Sequence, residues 1–457
     1  MRRSTILWLA RPASVPDRIR LGLVALSVAA AGALLIVAAQ IARLPGEKFV
    51  HGFAVEDGLA RYVSEPGLRP GSILATVLLC VPVLALAQQA LRVGSVARDR
   101  RLAALRLAGA TPGDVRAVAI TEAGGAALAG GVLAGPAALL LWLVLGVLPP
   151  RGLRLVAAPD ALDVPVWLGV ALLAGLTGAV AGTAVQGRVV TEPLGVRRRG
   201  RPPGPGRAGL VALLSGLGLL LAGLLLLRDD NGDATIFLAV VPGTLLAALA
   251  GGPRLVRASG RRLARREGAL NLLAGRRLEA EPQGPGRVAG VLVICGIALG
   301  LDAGLVAGVV ADSSVGTQDN LGFYLGGAGL AGAVVLVAAA VAVLTLLVGA
   351  ADQLLDGRRP LASLAALGTD EADIASVLVR QLAAAAVPAV TLGVLVSGLA
   401  AALLGFAELV AAAVLLMVTL GLAALAAAVV LVVARLVVRL LRPALRAVIA
   451  PENLRVA

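Results

Sequence analysis

The sequence predicts an all-α polytopic membrane protein with ten transmembrane helices in a 4+2+4 arrangement, preceded by an N-terminal amphipathic surface helix. Three observations carry this reading. The 457 residues are 59% hydrophobic and only 15% charged, with a mean hydropathy of +0.93, too apolar for a soluble chain of this size. A charged, helix-forming island at residues 100–116 lies between two long apolar runs and returns once. The basic residues also gather in a few of the links between apolar runs.

The island shows that the chain is duplicated. Placing Gly109 over Gly368 aligns Leu102 and Leu105 with Leu361 and Leu364, Asp114 with Asp373, and Val115 with Ile374, each followed by an apolar run. In both copies a run of helix formers stops at a glycine, the residue that takes a left-handed conformation just past a helix end. Thr111 with Pro112 behind it, and Thr369 with Asp370, Glu371 and Asp373 behind it, are N-cap and first-turn residues where orphan N–H groups need acceptors. Each island therefore reads as a helix, a sharp corner, and the start of a membrane helix.

Taken in order, residues 1–10 are short and amphipathic, with Arg2, Arg3 and Arg11 around Ile6, Leu7, Trp8 and Leu9, and suit a membrane surface. The first apolar run is long and reads as a retained anchor rather than a cleaved signal. Spans need about 20 apolar residues. Candidates lie at 21–42, 72–91, 115–148, 165–185, 210–227, 235–249, 288–310, 323–350, 374–404 and 409–433, the sixth short and broken by Pro242. The domains that follow are an amphipathic segment (1–20), a four-helix unit (21–187), a linking helix pair with polar flanks (188–287), a second four-helix unit (288–435) and a tail (436–457).

Lys and Arg are retained on the cytoplasmic side. With both termini cytoplasmic, only Arg43, Lys48, Arg61, Arg69, Arg151, Arg154 and Arg228 of the 41 basic residues fall outside. Both islands then face the cytoplasm, as do the Arg-, Pro- and Gly-rich link at 188–207 and the link at 253–287. The largest external piece, 43–71, is too small for a core of its own. A net charge of +14 does not indicate nucleic acid, because the arginines sit in short clusters beside apolar runs rather than on one face with aromatics.

Few residues carry chemistry. Cys80 and Cys295 lie inside apolar runs, so no disulfide framework or metal cluster follows. Lys48 is the only lysine and is not in a Gly-rich loop before a helix, so no phosphate-binding loop is present and any ATP is bound by another chain. The stretch 228–233 resembles the start of a calcium loop, but the sixth and twelfth positions from Asp229 are Ala234 and Val240 where glycine and glutamate are required, which leaves a turn. His51 has no partners nearby. Gly296, Gly300, Gly304 and Gly308 recur every four residues, the spacing that lets another helix approach closely. Asp302, two residues beyond Gly300, points away from that row by about half a turn. An acid within a span is a functional candidate, a hydrated position near the outer interface being the other reading.

The islands resemble those of the FtsX-like (MacB-type) permease family of ABC transporters, in which an alanine-leucine-arginine-x-x-glycine-alanine stretch leads into the helix that docks on the ATPase. The carriers here are 104–110, with Leu105, Arg106, Gly109 and Ala110, and in degenerate form 363–369. The resemblance covers 72–185 and 323–433 best. It implies a bacterial cell-membrane permease subunit with no catalytic residue or cofactor of its own. ATP and magnesium would be held by two partner ATPase copies, whose closure moves the spans as rigid bodies. It also implies that Leu105, Arg106, Gly109, Ala110, Thr111, Asp114, Gly368, Thr369, Asp370, Glu371 and Asp373 form the coupling surfaces. Relatives that extract lipoproteins, sense peptide antibiotics or drive wall hydrolases carry large external domains. Their lack here favours a hydrophobic or lipid-like substrate met in the bilayer. A membrane adaptor that relays ATPase state to a partner is the second reading. An ion-coupled carrier would want several intramembrane acids, and only Asp302 is obvious. The corners differ in charge, with Arg98, Arg100, Arg101, Arg106 and Arg116 around the first and three acids at the second, which predicts two unequal ATPase contacts.

Overall fold

The structure, a computed structural model of the chain, describes residues 3–10, 15–44, 49–50, 53–54, 58–65, 68–92, 94–150, 152–191, 207–226, 239–311, 318–403 and 409–450. The described residues are almost entirely helical. They form two compact units, Met1–Arg199 and Gly200–Ala457. Among them, eight helices are long and apolar enough to cross a membrane.

The first unit begins with α1 (Arg3–Leu9) and α2 (Val15–Arg43). Two paired two-residue strands, β1 (Phe49–Val50) and β2 (Phe53–Ala54), and a single turn, α3 (Arg61–Ser64), lead into α4 (Arg69–Ala90). Then come α5 (Ser95–Leu107), α6 (Pro112–Trp142), which ends in a π turn at Leu143–Val147, and α7 (Asp163–Thr191). Helix α2 packs on α4, α6 and α7, and α6 packs along α7. Lipid tails give apolar side chains no reason to leave them for one another, so close approach depends on small residues. A methyl group on Gly131 would lie 2.6 Å from the backbone of Ala171, and one on Gly182 2.7 Å from the carbonyl oxygen of Ala119. The outer face of α7 shows the opposite pattern, with Leu168, Leu172, Leu176 and Val180 all exposed along one row. An apolar stripe facing outward is what a lipid-facing helix presents.

The second unit contains α8 (Arg207–Leu226), α9 (Val241–Ala264), α10 (Ala269–Ala280), α11 (Gln283–Ala311), α12 (Gln318–Asp356), α13 (Arg358–Ala366), α14 (Glu371–Leu403) and α15 (Leu409–Ile449). Its neighbour pattern repeats that of the first, with α11 packed on α12, α14 and α15, and α14 along α15. Helices α2, α4, α5, α6 and α7 thus correspond to α11, α12, α13, α14 and α15. Helix α9 packs against α8, α11 and α14, and α10 against α14.

Of the ten expected spans, the fifth and sixth are not among the eight. The described apolar part of α8, Ala208–Gly223, is short, and α9 carries Arg254, Arg257, Arg261 and Arg262 in its second half. The expected link at 253–287 is largely helical, its arginines on the less buried side of α9 while Val256, Ser259 and Gly260 are buried. The expected tail at 436–457 is, as far as Ile449, part of α15 and of the core. Arg435, Arg439, Arg442 and Arg446 recur at helical spacing on one exposed face, which leaves Val437, Val438, Leu441, Leu445 and Val448 buried on the other. These five pack with Leu354, Leu361, Ile374 and Leu378. Lys48, His51, most of the link at 188–207 and the turn at 228–233 lie outside the described residues.

Candidate functional site: two matching helix corners

Both islands fold into the same corner. At the end of α5 the N–H of Ala110 donates to the carbonyl of Leu105 (3.0 Å) and that of Gly109 to Arg106 (3.1 Å). At the end of α13 the N–H of Thr369 donates to Leu364 (3.1 Å) and that of Gly368 to Ala365 (2.9 Å). This crossed pair of bonds satisfies the last free carbonyls and requires a left-handed residue at its centre, which is why glycine stands there. Gly109 has φ 94° and Gly368 φ 92°.

The helices that leave the corners are capped differently. Thr111 and Asp114 close a reciprocal box: the N–H of Asp114 donates to Thr111 Oγ1 (3.2 Å) and the N–H of Thr111 to Asp114 Oδ2 (3.0 Å). In the second corner α14 begins at Glu371, so Asp370, rather than Thr369, stands where Thr111 stands in the first. Its carbonyl accepts from Asp373 (3.1 Å) and Ile374 (3.2 Å).

Each corner is backed by a different element. Leu102, Val115 and Val118 are buried at the first, with Ile6 and Leu9 of α1 and also Leu105 and Ala110 packed against them. Arg101 donates to the carbonyl of Leu9. At the second corner Leu361 and Ile374 are buried against the end of α15, and Arg446 Nε reaches Glu371 Oε2 at 2.9 Å.

These contacts redistribute the charges read from the sequence. Arg98 Nη1 is bonded to the carbonyl of Leu91 (3.1 Å) and Arg101 to α1, so both arginines turn inward, and Arg106 is half-buried. Arg116 is exposed at the first corner, and Asp370 and Asp373 at the second. Two residues that the sequence did not single out stand at the tips: Leu107 is 74% and Leu367 83% exposed. Hydropathy could not have flagged them, since each sits among other leucines and alanines and only the turn decides which side chain is left outside.

Away from the corners, the glycine row of α11 meets α14. A methyl on Gly296 would lie 2.4 Å from the carbonyl oxygen of Val390, and one on Gly300 3.1 Å from the Cβ of Ser397. Gly304 and Gly308 continue the row towards the end of α11 at Ala311. Asp302 faces a different neighbour, its Oδ2 lying 3.4 Å from where a methyl on Gly332 of α12 would sit. Within the second unit, Asp302 is not among the residues packed at the corner.

A second intramembrane acid escaped the sequence reading. Glu122, almost three turns into α6, forms an ion pair with Arg20 of α2, their side chains 11% and 3% exposed. The signal was present as an acid in one apolar run and a base at the head of another, but nothing in the sequence says that the two helices are neighbours. In the second unit Arg380 Nη1 donates to Asn271 Oδ1 of α10 (2.6 Å), tying α10 to α14. No protein-family model, curated protein or solved structure matches the chain.

Proposed function

We propose that this chain is the transmembrane permease subunit of an ATP-driven ABC transporter, built from two FtsX-like units and coupled to two separate ATPase subunits through its corners. What supports the reading is one observation above the others: an identical hydrogen-bonded corner, with glycine at the same left-handed position, opens the same helix in each unit. A rigid corner ahead of a long membrane helix is suited to turn a push at its tip into a movement of that helix. Leu107 and Leu367 offer each ATPase an apolar anchor, with charged residues around it. The proposal includes ten spans in a 4+2+4 arrangement, α8 and the first half of α9 forming the extra pair, and both termini on the cytoplasmic side of a bacterial inner membrane. The substrate class that fits a chain with so little outside the membrane is a hydrophobic or lipid-like molecule.

The test is to purify the full chain from its native membrane, identify co-purifying chains by mass spectrometry and measure magnesium-dependent ATP hydrolysis. An ATPase recovered with the wild type, weakened by Leu107→Asp or Leu367→Asp and lost with both, is the expected result. Hydrolysis that rises with a hydrophobic substrate separates a transporter from an adaptor. Recovery of the same ATPase by the double variant would remove the corners as its docking surfaces.

A further inference from the structure

Helix α15 is longer than a membrane needs. Its 41 residues rise about 60 Å, twice the roughly 30 Å of a hydrocarbon core. Residues 409–434 carry no charge and suffice to cross that core, so Arg435 is the first charged residue at its edge. From there to Ile449 the helix runs on towards the second corner. Arg435, Arg439, Arg442 and Arg446 stand within about 60° of one another around its axis, and α15 contains no acid.

The exposed half of the helix carries a second row. Leu425, Val429, Val432, Leu436 and Leu440 follow one another at steps of three and four residues, and each is between 52% and 62% exposed. One apolar stripe therefore passes from the span into the basic segment without a break, about a quarter of a turn from the arginines. The core of the second corner does not use it, because that core takes Val437, Val438, Leu441, Leu445 and Val448 from the remaining side. Leucines and arginines side by side at one height suit the boundary where acyl chains give way to headgroups.

The arginines divide by what they meet. Arg446 reaches Glu371 and belongs to the corner. Arg435, Arg439 and Arg442 are exposed. Every Cα–Cβ bond of a helix tilts towards its N-terminus, which for α15 is the membrane side, so these three side chains lean back to the bilayer surface. They are spread over about 10 Å of rise, against a headgroup layer about 5–8 Å deep on each side, and the lean shortens the difference.

We propose that Arg435, Arg439 and Arg442 form a docking face for the phosphate groups of anionic phospholipids in the leaflet on the corner side, with Leu436 and Leu440 against their acyl chains. A guanidinium fork fits phosphate oxygens, and a basic row that directly follows a span is drawn to the negative surface of an anionic leaflet. The occupant is lipid rather than an acidic protein because the apolar stripe beside the row continues that of the span. The site needs only that α15 crosses a membrane, and it stands apart from the transporter reading.

Photo-cross-linking of the full-length protein in phosphatidylcholine vesicles tests this. The vesicles carry a trace of phosphatidylglycerol or phosphatidylcholine with a diazirine near the head of one acyl chain, and labelled positions are mapped by mass spectrometry. The phosphatidylglycerol probe should label Leu436 and Leu440 at least roughly fivefold more than the phosphatidylcholine probe, the effect of about one basic residue near an anionic headgroup. That preference should vanish in Arg435→Gln/Arg439→Gln/Arg442→Gln and persist in Arg435→Lys/Arg439→Lys/Arg442→Lys, which keeps the charge. If the glutamine variant does not fold, the two probes on the wild type decide. Equal labelling by both probes, or a preference that survives the glutamine variant, overturns the proposal. So does the absence of label on both leucines, which would leave the face to a protein. Inorganic phosphate on both sides of the vesicle that abolishes the preference at fixed ionic strength overturns the assignment to a lipid.

Discussion

Gln40 Nε2 donates to Asp163 Oδ2 across 2.6 Å, and Arg43 Nη2 meets the other oxygen of the same carboxylate, so that one side chain at the head of α7 holds the end of α2. The N–H of Asp160 is a third donor to it, at 3.0 Å. Asp163→Ala would leave Gln40, which is largely buried, without its acceptor. Thermal unfolding in detergent should show a loss on the order of 1–3 kcal/mol, as expected for orphaned buried donors. Asp163→Asn, which keeps one carbonyl oxygen, should recover part of it.

Gly109→Ala and Gly368→Ala probe the corners by backbone strain alone. Nothing lies within 4 Å of a methyl group at either position, and both have a φ that side chains resist. Each substitution should cost about 1–2 kcal/mol. If the corners transmit ATPase closure, substrate-stimulated hydrolysis should fall by more than the drop in folded protein accounts for. Equal falls would reduce the corners to ordinary turns.

The two ATPase contacts are expected to differ. Arg116 is exposed at one corner, and Asp370 and Asp373 at the other, while Glu371 is partly engaged by Arg446. Arg116→Glu should weaken ATPase retention with a marked salt dependence, whereas Asp370→Ala with Asp373→Ala should change it differently, because like charges facing one another at an interface reduce affinity. Identical losses with identical salt dependence would show the contacts to be equivalent.

Membrane sidedness can be read with single cysteines, because Cys80 and Cys295 are both buried. Ala158→Cys and Ser363→Cys sit at exposed positions, in the link before α7 and in the helix before the second corner. In intact cells an impermeant maleimide should label the first and not the second. Labelling of both would break the proposed topology.

Asp302→Leu, made beside Asp302→Asn, asks whether the acid of α11 is used. Its carboxylate lies against the glycine of α12 rather than against the α14 seam formed by Gly296 and Gly300. Loss of substrate-stimulated hydrolysis in both variants, with expression retained, is expected if the charge matters. Unchanged activity in the leucine variant would assign Asp302 to packing.

The corners were legible because glycine, cap and leucine spacing are local rules, and Gly109 and Gly368 obey them in the same way. Asp370 displaced Thr369 as the residue before α14 because a corner of this type fixes the count from its glycine to the next helix, a constraint that cap preference does not include. Helices α9 and α15 both run on past the expected ends of their spans. In both helices the arginines lie along one face and the helix continues beneath them. Partnerships such as Arg20 with Glu122, or Arg380 with Asn271, depend on which helices touch, and no single stretch of sequence holds that information.

The different backing of the two corners sets an order of birth. Everything packed at the first corner, from Ile6 to Val118, is made within little more than the first quarter of the chain. The second corner closes on Val437, Leu441, Leu445 and Val448, so Leu361 must wait for 87 further residues (361 to 448) and Ile374 for 74 (374 to 448) before they are fully covered. During that wait an apolar surface stands open at the membrane edge in one half of the molecule only. A chain stopped at position 436 should therefore carry a protease-resistant first unit and a second unit cut near its corner.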